Sequence, residues 1–264
     1  MKLKLAGGEI AWDAAGSGPA LVLLHAFPLS RRMWQPQWDA LAGGCRLLRF
    51  DYRGFGESPP TGGILTMERC ADDAVGLLDH AGVSKAVVCG VSMGGYVALA
   101  LARRHPARLR GLVLADTRAG ADTPEARAGR SQLAERIRRQ GSGVATEMLP
   151  RLLGATTRAR RPALEAELRG WIEATAPAGL CDGLAGLAAR ADSGPGLERI
   201  DIPTLVACGE EDELTPPEES RRLAEAIPGA RLELIPEAGH LASLEQPEVF
   251  NRALRAFLDG LPAV

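Results

Sequence analysis

The sequence predicts an α/β protein: a mainly parallel sheet with helices on both faces and a helical cap inserted between two strands. Three observations carry this reading. Short runs rich in Val, Leu and Ile recur along the chain. These runs lack the strict alternation of a sheet with one wet face, as strands covered on both sides do. Stretches of helical period separate most of them, the rhythm of βαβ units.

The elements follow in order. KLKLAGGEIAWDAAG reads as a hairpin, with Leu3, Leu5, Ile10 and Trp12 alternating around Gly7-Gly8, so an antiparallel edge precedes the parallel strands. The strand runs are ALVLLH (20–25), RLLRFD (46–51), AVVCGVS (86–92), LRGLVLAD (109–116), PTLVACGEED (203–212) and RLELIPE (231–237). MERCADDAVGLLDHAG and PPEESRRLAEAIPG have helical period. From Thr117 to Asp192 the pattern changes: SQLAERIRRQ, ALEAELRGWIEATA and AGLCDGLAGLAAR are helical, and no strand run interrupts them. Residues 1–117 and 196–264 are therefore expected to form one core, with residues 118–195 as a helical cap over one end of the sheet.

Composition narrows the function. Of 264 residues, 46% are hydrophobic and 24% charged, as in an ordinary globular chain long enough for a sizeable core. The net charge of −2 gives no broad electrostatic reason to expect nucleic acid or an anionic membrane as partner. The five cysteines are scattered, odd in number and free of any Cys-x-x-Cys pair, which argues against a disulfide frame or a zinc site and fits a reducing compartment. MKLKLAGGEIAWDAAG lacks an apolar h-region and LVLLHAF is too short to span a bilayer. The expectation is a cytoplasmic protein, monomer or homodimer, with a small molecule as partner.

The chemistry concentrates on VVCGVSMGGYVALALARRHP, residues 87–106. Gly90-Val91-Ser92-Met93-Gly94 fits G-x-S-x-G, a weak signal in a chain with 31 glycines, but here it follows a strand and opens a helix. Small flanking residues let strand and helix backbones pass closely while the serine is held out on a strained turn. A serine hydroxyl needs a base, and the base needs an orienting acid. His80 and His105 sit near helix C-termini, where the dipole suffices to explain them. His240 follows Gly239 in a loop after the last strand and is the candidate base. Asp212 and Asp116 both stand at strand ends in positions open to the acid; Asp212, in the loop Gly209-Glu210-Glu211-Asp212, is preferred. Acyl transfer also needs N–H donors for an oxyanion. The backbone of Met93, next to the serine, and of Phe27, in the loop His25-Ala26-Phe27-Pro28, are the candidates.

These residues carry a family likeness. His25-Ala26-Phe27-Pro28 resembles the H-G-x-P oxyanion loop of the α/β-hydrolase superfamily, with alanine in place of the usual glycine. Asp51-Tyr52-Arg53-Gly54-Phe55-Gly56-Glu57-Ser58 resembles its D-x-R-G-x-G-x-S turn, and residues 90–94 its nucleophile elbow. Gly209-x-x-Asp212 and Gly239-His240 resemble the acid and histidine loops. The cap fragment around AGLCDGLAGLAARAD and the run from CGEEDELTPP to IPEAGHLASLEQPEVFN look most like 3-oxoadipate enol-lactonases and small bacterial esterases. The resemblance implies hydrolysis of a carboxylic ester or lactone without cofactor or metal. A serine at the elbow disfavours the dehalogenase and epoxide-hydrolase branches, which use aspartate there. A cofactor-free perhydrolase or haloperoxidase, a C–C hydrolase and a non-catalytic ligand receptor stay open as alternatives.

His25, Phe27, Met93, Trp34 and Trp171 are the candidate substrate-binding residues, although a large aromatic near an insertion, as the two tryptophans are, more often packs between core and cap. Arg118, Arg127, Arg130 and Arg169 are candidates for clamping a substrate carboxylate, against the plainer reading of a solvated helix face.

Overall fold

The computed structural model describes residues 1–262. Eight strands form one sheet: β1 (Lys2–Leu5), β2 (Gly8–Ala15), β3 (Ala20–Leu24), β4 (Arg46–Phe50), β5 (Ala86–Val91), β6 (Leu109–Ala115), β7 (Thr204–Gly209) and β8 (Arg231–Ile235). Their order is β1-β2-β4-β3-β5-β6-β7-β8. The first two pairings, β1 with β2 and β2 with β4, are antiparallel, and every later pairing is parallel. The hairpin turns on Ala6 and Gly7, Gly7 at φ 77°, one residue earlier than the Gly7-Gly8 expected from sequence.

The strands that read as unbroken apolar runs are buried on both faces: every residue of β3, β5 and β7 lies in the core. The last strand, RLELI, alternates instead, because as an edge strand it keeps one side near solvent. Helices α1 (Gln35–Leu41), α2 (Met67–His80) and α3 (Met93–Arg104) cover the first half of the sheet. Thr66 starts α2, its hydroxyl accepting from the Arg69 N–H at 3.1 Å.

Between β6 and β7 lie five helices and no strand: α4 (Pro124–Gln140), α5 (Leu149–Leu152), α6 (Ala155–Arg160), α7 (Pro162–Glu173) and α8 (Pro177–Ala189). The long helices α4, α7 and α8 coincide with the three helical stretches of the sequence. The short α5 and α6 leave no periodic trace, because one or two turns are too few for a 3.6-residue pattern to show. Helix α8 lies flush on the core through small residues spaced four and three apart. A Cβ on Gly179 would sit 1.9 Å from the Gly54 carbonyl oxygen, and one on Gly186 would sit 1.7 Å from that of Leu65. Leu180, Leu184 and Leu187 on the same helix are at most 3% exposed, and each contributes about 2 kcal/mol by leaving water.

After the cap, α9 (Pro217–Ala226) returns the chain to β8, and α10 (Ala242–Glu245) and α11 (Pro247–Asp259) close the molecule. Strand ends β3, β5, β6 and β7 thus stand side by side, and their C-terminal loops share one rim.

Candidate active site

Ser92 joins β5 to α3 with φ 53° and ψ −113°, a backbone that costs a non-glycine residue about 1–3 kcal/mol. The turn is over-determined. Ser92 N–H donates to the Ala115 carbonyl at 2.9 Å, and the Thr117 hydroxyl donates to the Ser92 carbonyl at 2.9 Å. Glycine is needed on both sides because the backbones touch. A Cβ on Gly90 would lie 2.1 Å from the Gly94 oxygen, and one on Gly94 would lie 2.1 Å from the Leu24 oxygen. The second contact also seats the loop after β3 against the elbow.

His240 and Asp212 reach the serine from the two loops beyond β8 and β7. His240 Nε2 lies 2.7 Å from Ser92 Oγ, and His240 Nδ1 lies 2.8 Å from Asp212 Oδ2. Asp212 is further fixed by the Leu214 and Thr215 N–H groups at 2.8 and 3.0 Å and by the Thr215 hydroxyl at 2.7 Å. Burial pushes the Asp212 carboxyl upward, but the charge and hydrogen bond of His240 and the Thr215 bonds outweigh it, and it is held below the ordinary carboxylate value. This chain of groups can move a proton from a hydroxyl to an imidazole beside a fixed negative charge.

The other aspartate does different work. Asp116, buried and at φ 46°, accepts from Gly209 N–H at 2.9 Å and Ala242 N–H at 3.2 Å. It ties the end of β7 to the segment after His240. Burial, then the nearby Asp212 charge, push its carboxyl well above the usual range. Ligand-type atoms of Asp116, Cys208 and Asp212 lie within 4.8 Å of one another, but the Cys208 thiol is spent on the Gly209 carbonyl at 3.3 Å and the carboxylates on the donors just named.

Phe27 and Met93 are both buried. Among the described residues neither backbone N–H has a protein acceptor. The Phe27 ring packs edge-on to Phe55 at 5.9 Å and against Gly183 of α8.

Three sequence candidates sit elsewhere than expected. His25 is fully buried and both ring nitrogens are engaged: Nε2 accepts from Tyr52 N–H at 3.0 Å, and Nδ1 lies 3.0 Å from the Ala26 carbonyl. It pins the loop after β3 to the turn after β4 and has no nitrogen left for a substrate. Trp34 is fully buried against Phe250, 6.4 Å between rings, because the turn carrying it faces α11. Trp171, half-buried on α7, lines a cavity of about 690 Å³ with Arg31, Arg32, Leu164 and Leu244, whose walls do not include Ser92.

The arginines of the helices between β6 and β7 are mostly spoken for. Asp122, buried, receives Arg118 at 3.2 Å, Arg190 at 2.6 Å and Arg130. Arg169 pairs with Glu165 at 3.2 Å on its own helix, and Arg127 is exposed on α4. Arg190, invisible as a candidate in the sequence, is the most buried of this group and stacks over Tyr96 at 4.2 Å.

A strand-turn-helix serine, a histidine and a carboxylate gathered at one rim of a mostly parallel sheet define the class of α/β-fold hydrolases. The profile of the alpha/beta hydrolase fold family matches residues 19–247, and the chain belongs to that family. It is similar to a thermophilic esterase from Thermogutta terrifontis, solved with malate bound, at 42% identity and a TM-score of 0.96, with 98% of each chain covered. The enol-lactonase from Burkholderia xenovorans is 32% identical with a TM-score of 0.91, over 98% of this chain and 100% of that one. The 3-oxoadipate enol-lactonase 2 of Acinetobacter baylyi is 31% identical over 91% of this chain and 88% of its own. The protein is an enzyme, a hydrolase of this fold. Among the described residues no helix is long and apolar enough to cross a membrane.

Proposed function

We propose that the protein hydrolyses a small carboxylic ester or lactone through an acyl-serine intermediate, with Ser92 as nucleophile, His240 as general base and Asp212 as the orienting acid. The observation that carries this reading is the continuous hydrogen-bond line Ser92 Oγ, His240 Nε2, His240 Nδ1, Asp212 Oδ2, at 2.7 and 2.8 Å. Ser92 Oγ attacks the carbonyl carbon while Nε2 takes its proton. The Oγ–C bond forms, and the carbonyl electron pair moves onto oxygen. The imidazolium, steadied by Asp212, then protonates the leaving alcohol oxygen as the C–O bond breaks. Water repeats the sequence on the acyl-enzyme and releases the acid. The unpartnered N–H groups of Phe27 and Met93 receive the oxyanion, each worth on the order of 10²–10³ in rate. Met93 N–H also stands at the first turn of α3, whose dipole favours negative charge there. His25 serves this arrangement indirectly, by fixing the loop that presents Phe27.

The helices of residues 118–195 act as a cap that closes over the substrate and selects it, with the Phe27 and Met93 side chains at its floor. The five cysteines, all free and buried, suit a reducing compartment such as the cytoplasm. A narrower reading, 3-oxoadipate enol-lactonase, is favoured by the likeness to the Acinetobacter and Burkholderia enzymes. A panel of p-nitrophenyl esters, simple lactones and an enol-lactone separates the two, and Ser92→Ala tests both. Turnover must fall to background in Ser92→Ala, and an unchanged rate refutes the acyl-serine mechanism.

A further inference from the structure

Two carboxylates that take no part in the proton relay flank its acid and its base. Glu211 immediately precedes Asp212, and Glu245 follows His240 by five residues. Both reach the same place, the start of α6 in the cap. Glu245, 2% exposed, accepts from Gly239 N–H at 2.9 Å and Leu241 N–H at 3.0 Å through Oε1, and from Gly154 N–H at 2.8 Å through Oε2. Glu211 accepts from Thr156 N–H at 2.9 Å and from the Thr156 hydroxyl, while its own N–H donates to the Ala238 carbonyl at 2.8 Å. The backbones meet here as well: a Cβ on Gly239 would stand 2.2 Å from Gly154 N. Arg161, directly after α6, donates to the Leu244 and Glu245 carbonyls at 3.0 and 2.7 Å.

A plain tether between cap and core needs only the bond to Gly154. Glu245 also grips the N–H groups on both sides of His240. The Leu241 N–H belongs to the peptide that follows the histidine and the Gly239 N–H to the peptide one residue before it, so the two bonds clamp the backbone on either side of His240 and with it the direction in which its Cβ projects. We infer that Glu245 and Glu211 are positioning residues through which the docked cap holds His240 and Asp212 in line with Ser92. This rests on the acyl-serine reading above. A carboxylate buried to this depth is costly unless its oxygens are satisfied, and three backbone donors offset that cost for Glu245. Withdrawing α6 leaves each carboxylate short of a donor, so docking of the cap and alignment of the histidine favour each other.

The test uses two variants of the full chain. Glu245→Gln keeps one oxygen for Gly239 and Leu241 but turns an NH₂ toward the Gly154 N–H. Thr156→Val removes one hydroxyl on the cap side and preserves shape. With p-nitrophenyl acetate, kcat is expected to fall about tenfold in Glu245→Gln and about threefold in Thr156→Val with KM within twofold, since small misplacements of a catalytic group are costly. The acid limb of the kcat/KM profile is expected to move to lower pH in both, because a loosened His240–Asp212 pair stabilises the imidazolium less. The groups at the His240 ring are Ser92, Asp212 and Thr215; Asp116 and Cys208 lie beside Asp212, Glu211 precedes it in the chain and Glu245 binds the backbone on either side of the histidine, and only the last two change their contacts in these variants. A merely structural effect scales kcat with the folded fraction and leaves the limb in place. Wild-type kcat and limb in both variants overturn the inference, and Thr156→Val decides alone if Glu245→Gln does not fold. Ser92→Ala, run in parallel, separates the two ideas. Residual turnover there removes the acyl-serine mechanism, whereas an inactive Ser92→Ala beside wild-type-like variants removes only the positioning role.

Discussion

The buried imidazole of His25 makes a quantitative test of how the loop after β3 is held. Burial, only partly opposed by the Asp51 charge, lowers its pKa from 6.5 to about 4. In the neutral ring Nε2 accepts from Tyr52 N–H, and a proton there would turn the acceptor into a second donor facing a donor. The folded-state value lies below the unfolded one, so the unfolded chain takes up the proton first. The stability due to His25 is therefore complete above pH 6.5 and is lost as pH falls toward 4. Fully developed, the loss is about 3 kcal/mol, and by pH 5 about 2 kcal/mol of it has appeared. The assay is urea unfolding at pH 7 and pH 5 for wild type and His25→Gln, whose amide oxygen is able to accept from Tyr52 N–H without titrating. The carboxylates contribute to the pH dependence of both proteins alike. The drop between the two pH values is expected to be smaller by about 2 kcal/mol in the variant. Equal drops would refute the claim that His25 is held neutral.

Three further substitutions probe the rim and the inserted helices. Asp212→Asn removes the charge beside His240 and is expected to cut kcat on the order of 10⁴-fold. Asp116→Asn instead sets an amide against one of its two backbone donors, costing about 1–3 kcal/mol of stability and less activity than Asp212→Asn. Kinetics and denaturation of both variants check the ranking, and the reverse order would transfer the acid role to Asp116. Asp122→Ala strands three arginines, one of them buried, and should lower unfolding stability by about 3–5 kcal/mol, read as a fall in Tm.

Much of the fold was legible because its strands are extreme. ALVLL, AVVCGV and TLVACG are buried on both sides, and such runs stand out wherever they lie. The rim was legible for a related reason: residues at strand ends with glycine two or three positions away, such as Ser92 and Asp212, are marked by local sequence. What stayed hidden depends on packing between distant segments. Nothing in LSRRMWQPQW tells that Trp34 turns toward α11, and nothing in HAFP tells that a backbone N–H from the next strand's loop occupies the ring of His25. Glu245 sits in plain view in GHLASLEQP, but its partner is a one-turn helix start 91 residues earlier in the chain, which no periodicity announces.

The seam between α6 and the histidine loop also bears on how this scaffold tolerates change. An insertion between two strands is ordinarily the easiest part of a sheet protein to replace, because its ends leave from one rim and the chemistry stays behind. Here a transplanted lid would have to bring its own glycine and hydroxyl to answer Glu245 and Glu211. Chimeras whose insertions lack that pair are expected to keep the sheet intact and to lose the aim of His240.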